Sequence, residues 1–336
     1  MSKGRESGRK NSRFSRELMH LAATLYYVES ATQAEIASRL EVSRPTVSRL
    51  LAEARKSKLV RITVEPLDNH DVGDLARRTA KALGLRHLEV AGLTKGRHLG
   101  PGLAPALGIA LRRVGLTAGD VLLVATGRTI HEVAQYELAE LPGVLVVPAV
   151  GGQDEPEAWY QANEITRQFA IAVGGRPTFL YAPALPGPAL HGRLLDDPST
   201  GRVISLWSHA RCAVLGIGAP PWQRESISTF IPAETVSLRD AVGDVCLHFF
   251  DRDGAPVEFP GSERLVSAPL DVLRGVPVTI GLAVGADKVS GIVAAARAGY
   301  INELVTDAAT VVELAAAVDI DSTSPQTLQP MPEPTA

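Results

Sequence analysis

Thr32-Gln-Ala-Glu-Ile-Ala-Ser-Arg-Leu-Glu-Val-Ser-Arg-Pro-Thr-Val-Ser-Arg-Leu-Leu51 decides how the N-terminal part of the chain folds. Thr32 and Glu35 stand at capping-box spacing, where each side chain satisfies an open backbone N–H near the other, so a helix opens there. Ile36, Ala37 and Leu40 form its apolar face. Glu41-Val42 leaves room only for a tight turn before Ser43 caps a further helix, with Pro45 in the first turn, where a missing N–H costs nothing. Val47, Leu50, Leu51 and Ala54 recur at helical spacing and face inward. At about 100° per residue, Pro45, Ser48, Arg49, Ala52 and Lys56 then point outward, with Arg44 and Thr46 at the N-terminal tip.

Two short helices joined by so tight a turn can seat the second in the major groove of DNA. Arg44 and Arg49 have the fork geometry that reads guanine, and Thr46 and Ser48 carry hydroxyls suited to bases or phosphates; Ser43, Pro45 and Lys56 complete the candidate DNA-facing set. A plain three-helix bundle with a solvated polar face fits the same pattern, and charge separates the two readings. Residues 1–61 hold 13 Lys and Arg against 6 Asp and Glu, a surplus of 7, while the whole chain of 336 residues is at −3, leaving −10 elsewhere. A basic head on an acidic body predicts that only the head meets a polyanion, here double-stranded DNA.

Working outward, residues 1–12 read as a flexible basic arm, and Phe14, Leu18, Leu21 and Leu25 as one face of a first helix. Val60-Arg-Ile-Thr-Val64 alternates as a short strand, the position of a wing, so the DNA-binding domain spans 13–65. Residues 66–84 read as a linker and amphipathic helix ending at Gly84. From 85 to 318 apolar runs alternate with helical patterns, near Leu88–Val90, Val121–Ala125, Val144–Val150, Thr178–Tyr181, Ala213–Ile217, Val278–Val284 and Leu304–Thr306. That alternation predicts a doubly wound, mostly parallel α/β domain. Residues 319–336 are rich in Ser, Thr, Pro and Gln and read as a disordered tail.

Cys212 and Cys246 each lie in an apolar run, as core thiols of a reducing compartment do. The longest apolar stretches are strand-sized and the N-terminus is polar, so neither a signal peptide nor a membrane span is expected and the reading is cytoplasmic. Eight scattered histidines give no metal-ligand spacing. Gly216-Ile-Gly-Ala-Pro-Pro221 begins like a dinucleotide fingerprint but has proline where the third glycine belongs, and Asp251-Arg-Asp-Gly254 reads as a hairpin turn rather than a calcium loop. No metal or cofactor is expected.

The head motifs Gln33–Leu40, Ser43–Leu51 and Val60–Val64 resemble the SorC family of sugar-binding transcriptional regulators. The resemblance continues through Thr126-Gly-Arg-Thr129, Val147-Pro-Ala-Val-Gly-Gly152, Leu215-Gly-Ile-Gly218, Ala241-Val-Gly-Asp244, Phe250–Gly254, Gly285-Ala-Asp-Lys288 and Leu304-Val-Thr-Asp307, covering residues 13 to about 315. It implies dimers or tetramers and a body similar to sugar-phosphate isomerases and deaminases, with the effector at the carboxyl ends of the strands.

The residues point to the same place. Gly127, Arg128 and Thr129 follow a strand end and open a helix, which suits an anion such as phosphate. Gly151-Gly152 follows another strand end. Lys288 offers a second positive charge, and Asp244 an acceptor for sugar hydroxyls. His131 is the histidine nearest this loop. Pro148–Gly152 carries no basic residue, which favours a monophosphate or an uncharged polyol over a bisphosphate. The rival reading is an isomerase or deaminase with Asp244 or Asp307 as general base and Lys288 stabilising an enolate. The fused DNA-binding head argues for a regulator that is not an enzyme, with a hinge near residues 65–84.

Overall fold

The computed structural model describes residues 14–29, 31–57, 59–60, 70–92, 98–224, 228–229, 231–232 and 236–319. The expected arm at 1–12, the wing from Arg61 to Val64, the linker before 70 and the tail from 320 lie outside the described residues. Internal contacts divide the chain into two compact units, Met1–Leu67 and Asp68–Ala336.

The first unit is helical. Helix α1 (Arg16–Ala23) is capped by Ser15, whose Oγ accepts from Leu18 N at 3.1 Å, and it runs into a π-helical turn, Thr24–Val28. α2 (Gln33–Arg39) opens on the expected capping box, with Thr32 N donating to Glu35 Oε2 at 2.8 Å and Glu35 N to Thr32 Oγ1 at 3.3 Å. α3 (Arg44–Lys56) follows a turn in which Glu41 takes a left-handed φ of 53°. Val47, Leu50, Leu51 and Ala54 are buried with Ile36 as expected.

Helix α1 departs from the sequence expectation. Met19, Ala22, Ala23 and Leu25 are buried, Phe14 and Leu18 sit at the edge of the core, and Leu21 is 47% exposed. A strict 3.6-residue repeat does not carry through the π turn, whose Glu29 N bonds Thr24 O at 3.1 Å over five residues. The inward stripe before the turn is therefore not the one that continues Leu25 backwards.

The second unit starts with α4 (His70–Ala82), then alternates β1 (His87–Ala91), α5 (Gly100–Val114), β2 (Val121–Val124), α6 (Arg128–Val133), β3 (Leu145–Pro148), α7 (Ala162–Val173) and β4 (Arg176–Pro177). Helices α8 (Pro188–Asp196) and α9 (Pro198–Ser205) precede β5 (Ala210–Gly216). Strands β6 (Gly243–Val245), β7 (His248–Phe250) and β8 (Pro256–Val257) form a small antiparallel sheet. The chain then closes with α10 (Leu270–Gly275), β9 (Val278–Leu282), α11 (Val289–Arg297), β10 (Glu303–Asp307) and α12 (Ala308–Ala317).

Seven strands make one parallel sheet in the order β1-β10-β9-β5-β2-β3-β4. Side chains alternate between its faces: Leu122, Val124, Val146 and Ile280 pack with α5 and α7, and Leu123, Val147, Ala213 and Leu215 with α10, α11 and α12. Each fully buried Val or Leu contributes about 1.5–3 kcal/mol, and burial on both faces is why these strands read as unbroken apolar runs. The chain leaves β2 toward β3 and β5 toward β9, in opposite directions, which makes the β2/β5 boundary the switch point where such sheets open a crevice.

Two further differences have local causes. The run Thr178–Tyr181 is not a strand, because only Arg176 and Pro177 pair with β3; Asn163 of α7 takes over the backbone of Leu180 on both sides, accepting from its N at 2.9 Å and donating to its O at 3.1 Å. Helix α4, read as part of a linker, buries Leu75 and Ala76 against Val311 and Ala315 of α12. Asp251 does make a hairpin turn, with Oδ1 accepting from Asp253 N and Ala255 N at 2.9 Å each, which leaves that oxygen engaged in the turn.

Candidate functional site

In the first unit, Ser43, Arg44, Pro45, Ser48 and Arg49 are exposed along one face of α3 together with Ala52 and Arg55. Thr46 is half-buried, and its Oγ1 lies 2.8 Å from Ser43 Oγ, which also accepts from Thr46 N at 3.4 Å. Ser43 Oγ thus caps the helix, and Arg44, Ser48 and Arg49 are the exposed polar side chains that follow it on this face. Lys56 closes α3, and its side chain lies outside the described residues. Arg55 is a basic group of this face that the sequence reading left out.

In the second unit a cleft of about 450 Å³ opens at the carboxyl ends of β2, β5 and β9. It brings together five of the expected residues, Gly127, Arg128, Thr129, Asp244 and Lys288. Gly127 has φ 128° and ψ 157°, a conformation that favours glycine, and its N–H donates to Trp159 O at 2.9 Å. The Arg128 guanidinium lies 4.9 Å from the Trp159 ring centroid, a cation–π contact that aims the charge across the cleft. Helix α6 has only six residues, so the anion-holding capacity of this loop rests on side chains more than on a helix dipole.

Lys288 is mostly buried, and its nearest carboxylate, Asp287, is 4.0 Å away. Burial first, and then the positive charge of Arg224, hold its amine below its ordinary value; Asp287 and Asp244 oppose the shift, and Arg128 adds to it. The Lys288 loop is fixed from α12: Thr310 Oγ1 accepts from Gly285 N at 2.9 Å and donates to Asp307 Oδ1 at 2.6 Å. Asp307 also accepts from Thr310 N at 2.9 Å as the α12 cap, which occupies the group the enzymatic reading would use as a base.

Gly151 and Gly152 do not join this cleft. Their N–H groups donate to Val266 O and Ala182 O at 2.8 Å each, and a Cβ on Gly151 would stand 2.7 Å from Ala182 O. Gly151 is a close-approach glycine between the end of β3 and Ala182, and Gly152 is engaged there through its backbone bond. His131 bonds Gln135 at 3.1 Å and does not line the cleft.

Among the cleft residues that went unread in the sequence, three shape its polar and aromatic lining. Arg224 pairs directly with Asp244 and donates its Nε to Ala219 O at 2.7 Å. Gln153 donates to Thr126 Oγ1 at 3.2 Å and accepts from buried Ser228. Trp159 is the third. Only Gln153 had a signal, its place beside the Gly151-Gly152 pair. The described residues contain no cluster of three or more metal-binding side chains and no helix long and apolar enough to cross a membrane.

A DNA-facing helix on one unit and a polar, cation-lined cleft at the switch point of the other define a ligand-controlled transcriptional regulator. Residues 69–316 match the model of a putative sugar-binding domain, and residues 18–69 that of the MarR family. The chain is 29% identical over 304 residues to the sorbitol operon regulator of Klebsiella pneumoniae, covering 86% of this chain and 94% of that protein. It is 30% identical over 301 residues to the deoxyribonucleoside regulator of Bacillus subtilis (strain 168), covering 85% and 93%. The crystal structure of the full-length sorbitol operon regulator SorC from Klebsiella pneumoniae superposes with a TM-score of 0.67 at 27% identity, covering 90% of this chain and all of that one.

The chain belongs to the SorC family of sugar-binding transcriptional regulators. Its relatives are regulators, and the isomerase or deaminase reading falls with that finding.

Proposed function

We propose that this regulator acts in the cytoplasm on a carbohydrate-utilisation operon, binding operator DNA through α3 as a dimer or tetramer, and that a phosphomonoester of a sugar or polyol in the cleft sets its affinity for DNA. The carrying observation is that Arg128 and Lys288, from the loops after β2 and β9, converge on one cleft. Arg224 is matched by Asp244, so Arg128 and Lys288 are the cationic side chains assigned to the ligand, a pair that suits one phosphate rather than two. Paired heads suit palindromic half-sites. The effector must prefer one arrangement of the heads, since equal affinity for both shifts nothing. Couplings of this kind are typically about 1–3 kcal/mol, or about 5- to 150-fold in operator affinity.

The test is a thermal-shift screen of the full-length chain against sugar phosphates, free sugars and polyols, repeated with Arg128→Ala and Lys288→Ala. A rise in Tm with a monophosphate that both variants lose is expected. Shifts with unphosphorylated compounds alone overturn the phosphate, and shifts that both variants retain overturn the site. Light scattering on the same preparations reads the oligomeric state.

A further inference from the structure

A second cavity, of about 190 Å³, lies between β7, β8 and the loop from Phe259 to Leu265. Phe249, Val257, Phe259 and Leu265 belong to its apolar wall. An apolar cavity of about 150 Å³ holds a benzene ring, so this one has room for a ring or a short alkyl chain with a polar end. Its charge is one-sided, because no Lys or Arg lines it. Glu258 is exposed at its edge and has no ion-pair partner among the described residues, whereas Glu263 pairs with Arg264 at 3.2 Å. His248 adds no positive charge. Its Nε2 is buried without a hydrogen-bond partner among the described residues, and burial holds the imidazole below its ordinary value against the opposing pull of Asp244, the Ala268 carbonyl and Asp271. Ser262 Oγ is engaged by Phe259 N at 3.3 Å. An apolar wall with one unmatched carboxylate at its edge fits an alkylammonium or arylalkylammonium ion and repels a carboxylate.

This cavity shares a wall with the cleft, since Leu247 lines both. Cys246 and Leu247 make the two-residue turn from β6 to β7 with φ of 49° and 67°, a conformation in which glycine or asparagine is usual. The turn is pinned by Asp244 Oδ2, which accepts from Leu247 N at 3.1 Å, and by Ser267 Oγ, which donates to Cys246 O at 2.6 Å. Phe249 has its ring centroid 5.9 Å from that of Phe259, which lines the cavity, and 5.3 Å from the guanidinium carbon of Arg224, which lines the cleft. Close-packed interiors transmit strain, so a ligand that fills the cavity bears on side chains that shape the cleft.

We propose that this cavity is a second ligand site, for a small primary amine with an apolar body, and that its occupancy is transmitted to the effector cleft through Leu247 and Phe249. The site does not depend on the phosphate reading.

The experiment is calorimetric titration of the full-length chain, at neutral pH, with hexylamine, 2-phenylethylamine, 2-phenylethanol and phenylacetate. At least one amine is expected to bind fivefold or more tighter than 2-phenylethanol, with phenylacetate the weakest. Glu258→Gln, at an exposed position, is expected to bring the amines down to the level of the alcohol. Val257→Trp, which fills the cavity, is expected to abolish binding of amine and alcohol alike; should it fail to fold, Glu258→Gln still decides. Arg128→Ala and Lys288→Ala, in the cleft, are expected to leave amine affinity within twofold. Saturating amine is expected to change operator affinity fivefold or more in a gel-shift titration, a response that Glu258→Gln loses. Absence of amine binding, equal binding of amine and alcohol, or a preference that Glu258→Gln leaves unchanged overturns the site, and amine binding lost in the cleft variants does so by moving it to the cleft. An oligomer that the amine dissociates in light scattering overturns the small-molecule reading in favour of a second copy of this chain. Amine binding with unchanged operator affinity overturns the transmission. No arm of the experiment uses phosphate, so failure of the phosphate reading and failure of this one are told apart.

Discussion

The two functional surfaces are built in opposite ways. On α3 the residues proposed to face DNA, from Ser43 to Arg49, are near neighbours in the chain, carried by one helix. The cleft takes Thr126 to Thr129 from beyond β2, Gln153 from beyond β3, Gly218 and Arg224 from beyond β5, Asp244 from β6 and Lys288 from beyond β9. A surface made by one helix tolerates loss of a side chain without loss of fold. A cleft made by many loops couples ligand binding to packing, because its charged groups are each other's partners.

That contrast is open to direct attack. Gly218→Ala should have the largest effect, since the new methyl displaces the contacting ends of Arg224 and Asp244; overpacking of this kind costs about 1–3 kcal/mol, to be read as a lower denaturation midpoint together with loss of effector response. A variant with unchanged stability would show that the cleft is no more coupled than the helix.

Arg49→Ala comes next. It should weaken operator-specific binding by about 1–3 kcal/mol in a gel-shift titration while leaving Tm unchanged. Parallel losses of affinity and Tm would erase the distinction between the two surfaces.

Lys288 offers a pH reading. Its folded-state pKa lies below the ordinary 10.5, so the unfolded chain binds more protons between the two values, and this group's contribution to stability rises with pH across that window. Phosphate affinity should move the other way, falling by up to about tenfold per pH unit, or about 1.4 kcal/mol, as the amine loses its proton. Lys288→Arg should remain flat over the same range, and a matching fall in that variant would place the titration elsewhere.

The smallest expected change is in the head. Glu41 holds a φ of 53°, which costs a non-glycine residue about 1 kcal/mol, so Glu41→Gly should raise the stability of the helical unit by roughly that amount in chemical denaturation, with the body unaffected.

The same contrast explains what the sequence disclosed. Capping at Thr32 and Ser43, the inward positions of α3 and six of the seven strand positions were legible because each depends on neighbours within a few residues. Leu21 was misplaced on the inward face of α1 because a π turn changes the period at Thr24, and no local pattern announced it. Arg224 was invisible for another reason. Its meaning comes from Asp244, twenty positions away, and from the missing Cβ of Gly218, whose glycine motif was read only as an incomplete dinucleotide fingerprint. Gly151 and Gly152 show the converse: a glycine pair at a strand end carries the same letters whether the backbone is approached by a ligand or, as here, by Ala182.

The two hydrogen bonds between the Asn163 side chain and the Leu180 backbone also bear on aggregation. An open sheet edge presents unpaired N–H and C=O groups to any passing strand, and long apolar edges seed polymer growth. Here Arg176 and Pro177 pair with β3 and Thr178 N adds one bond to Val146 O at 2.8 Å, proline has no N–H to offer, and the next apolar stretch, Phe179-Leu180-Tyr181, has its central peptide groups already taken by a side chain. An exposed Tyr181, 80% accessible, therefore sits beside an edge whose central peptide groups are already engaged, at the place where its hydrophobic sequence would otherwise invite another strand.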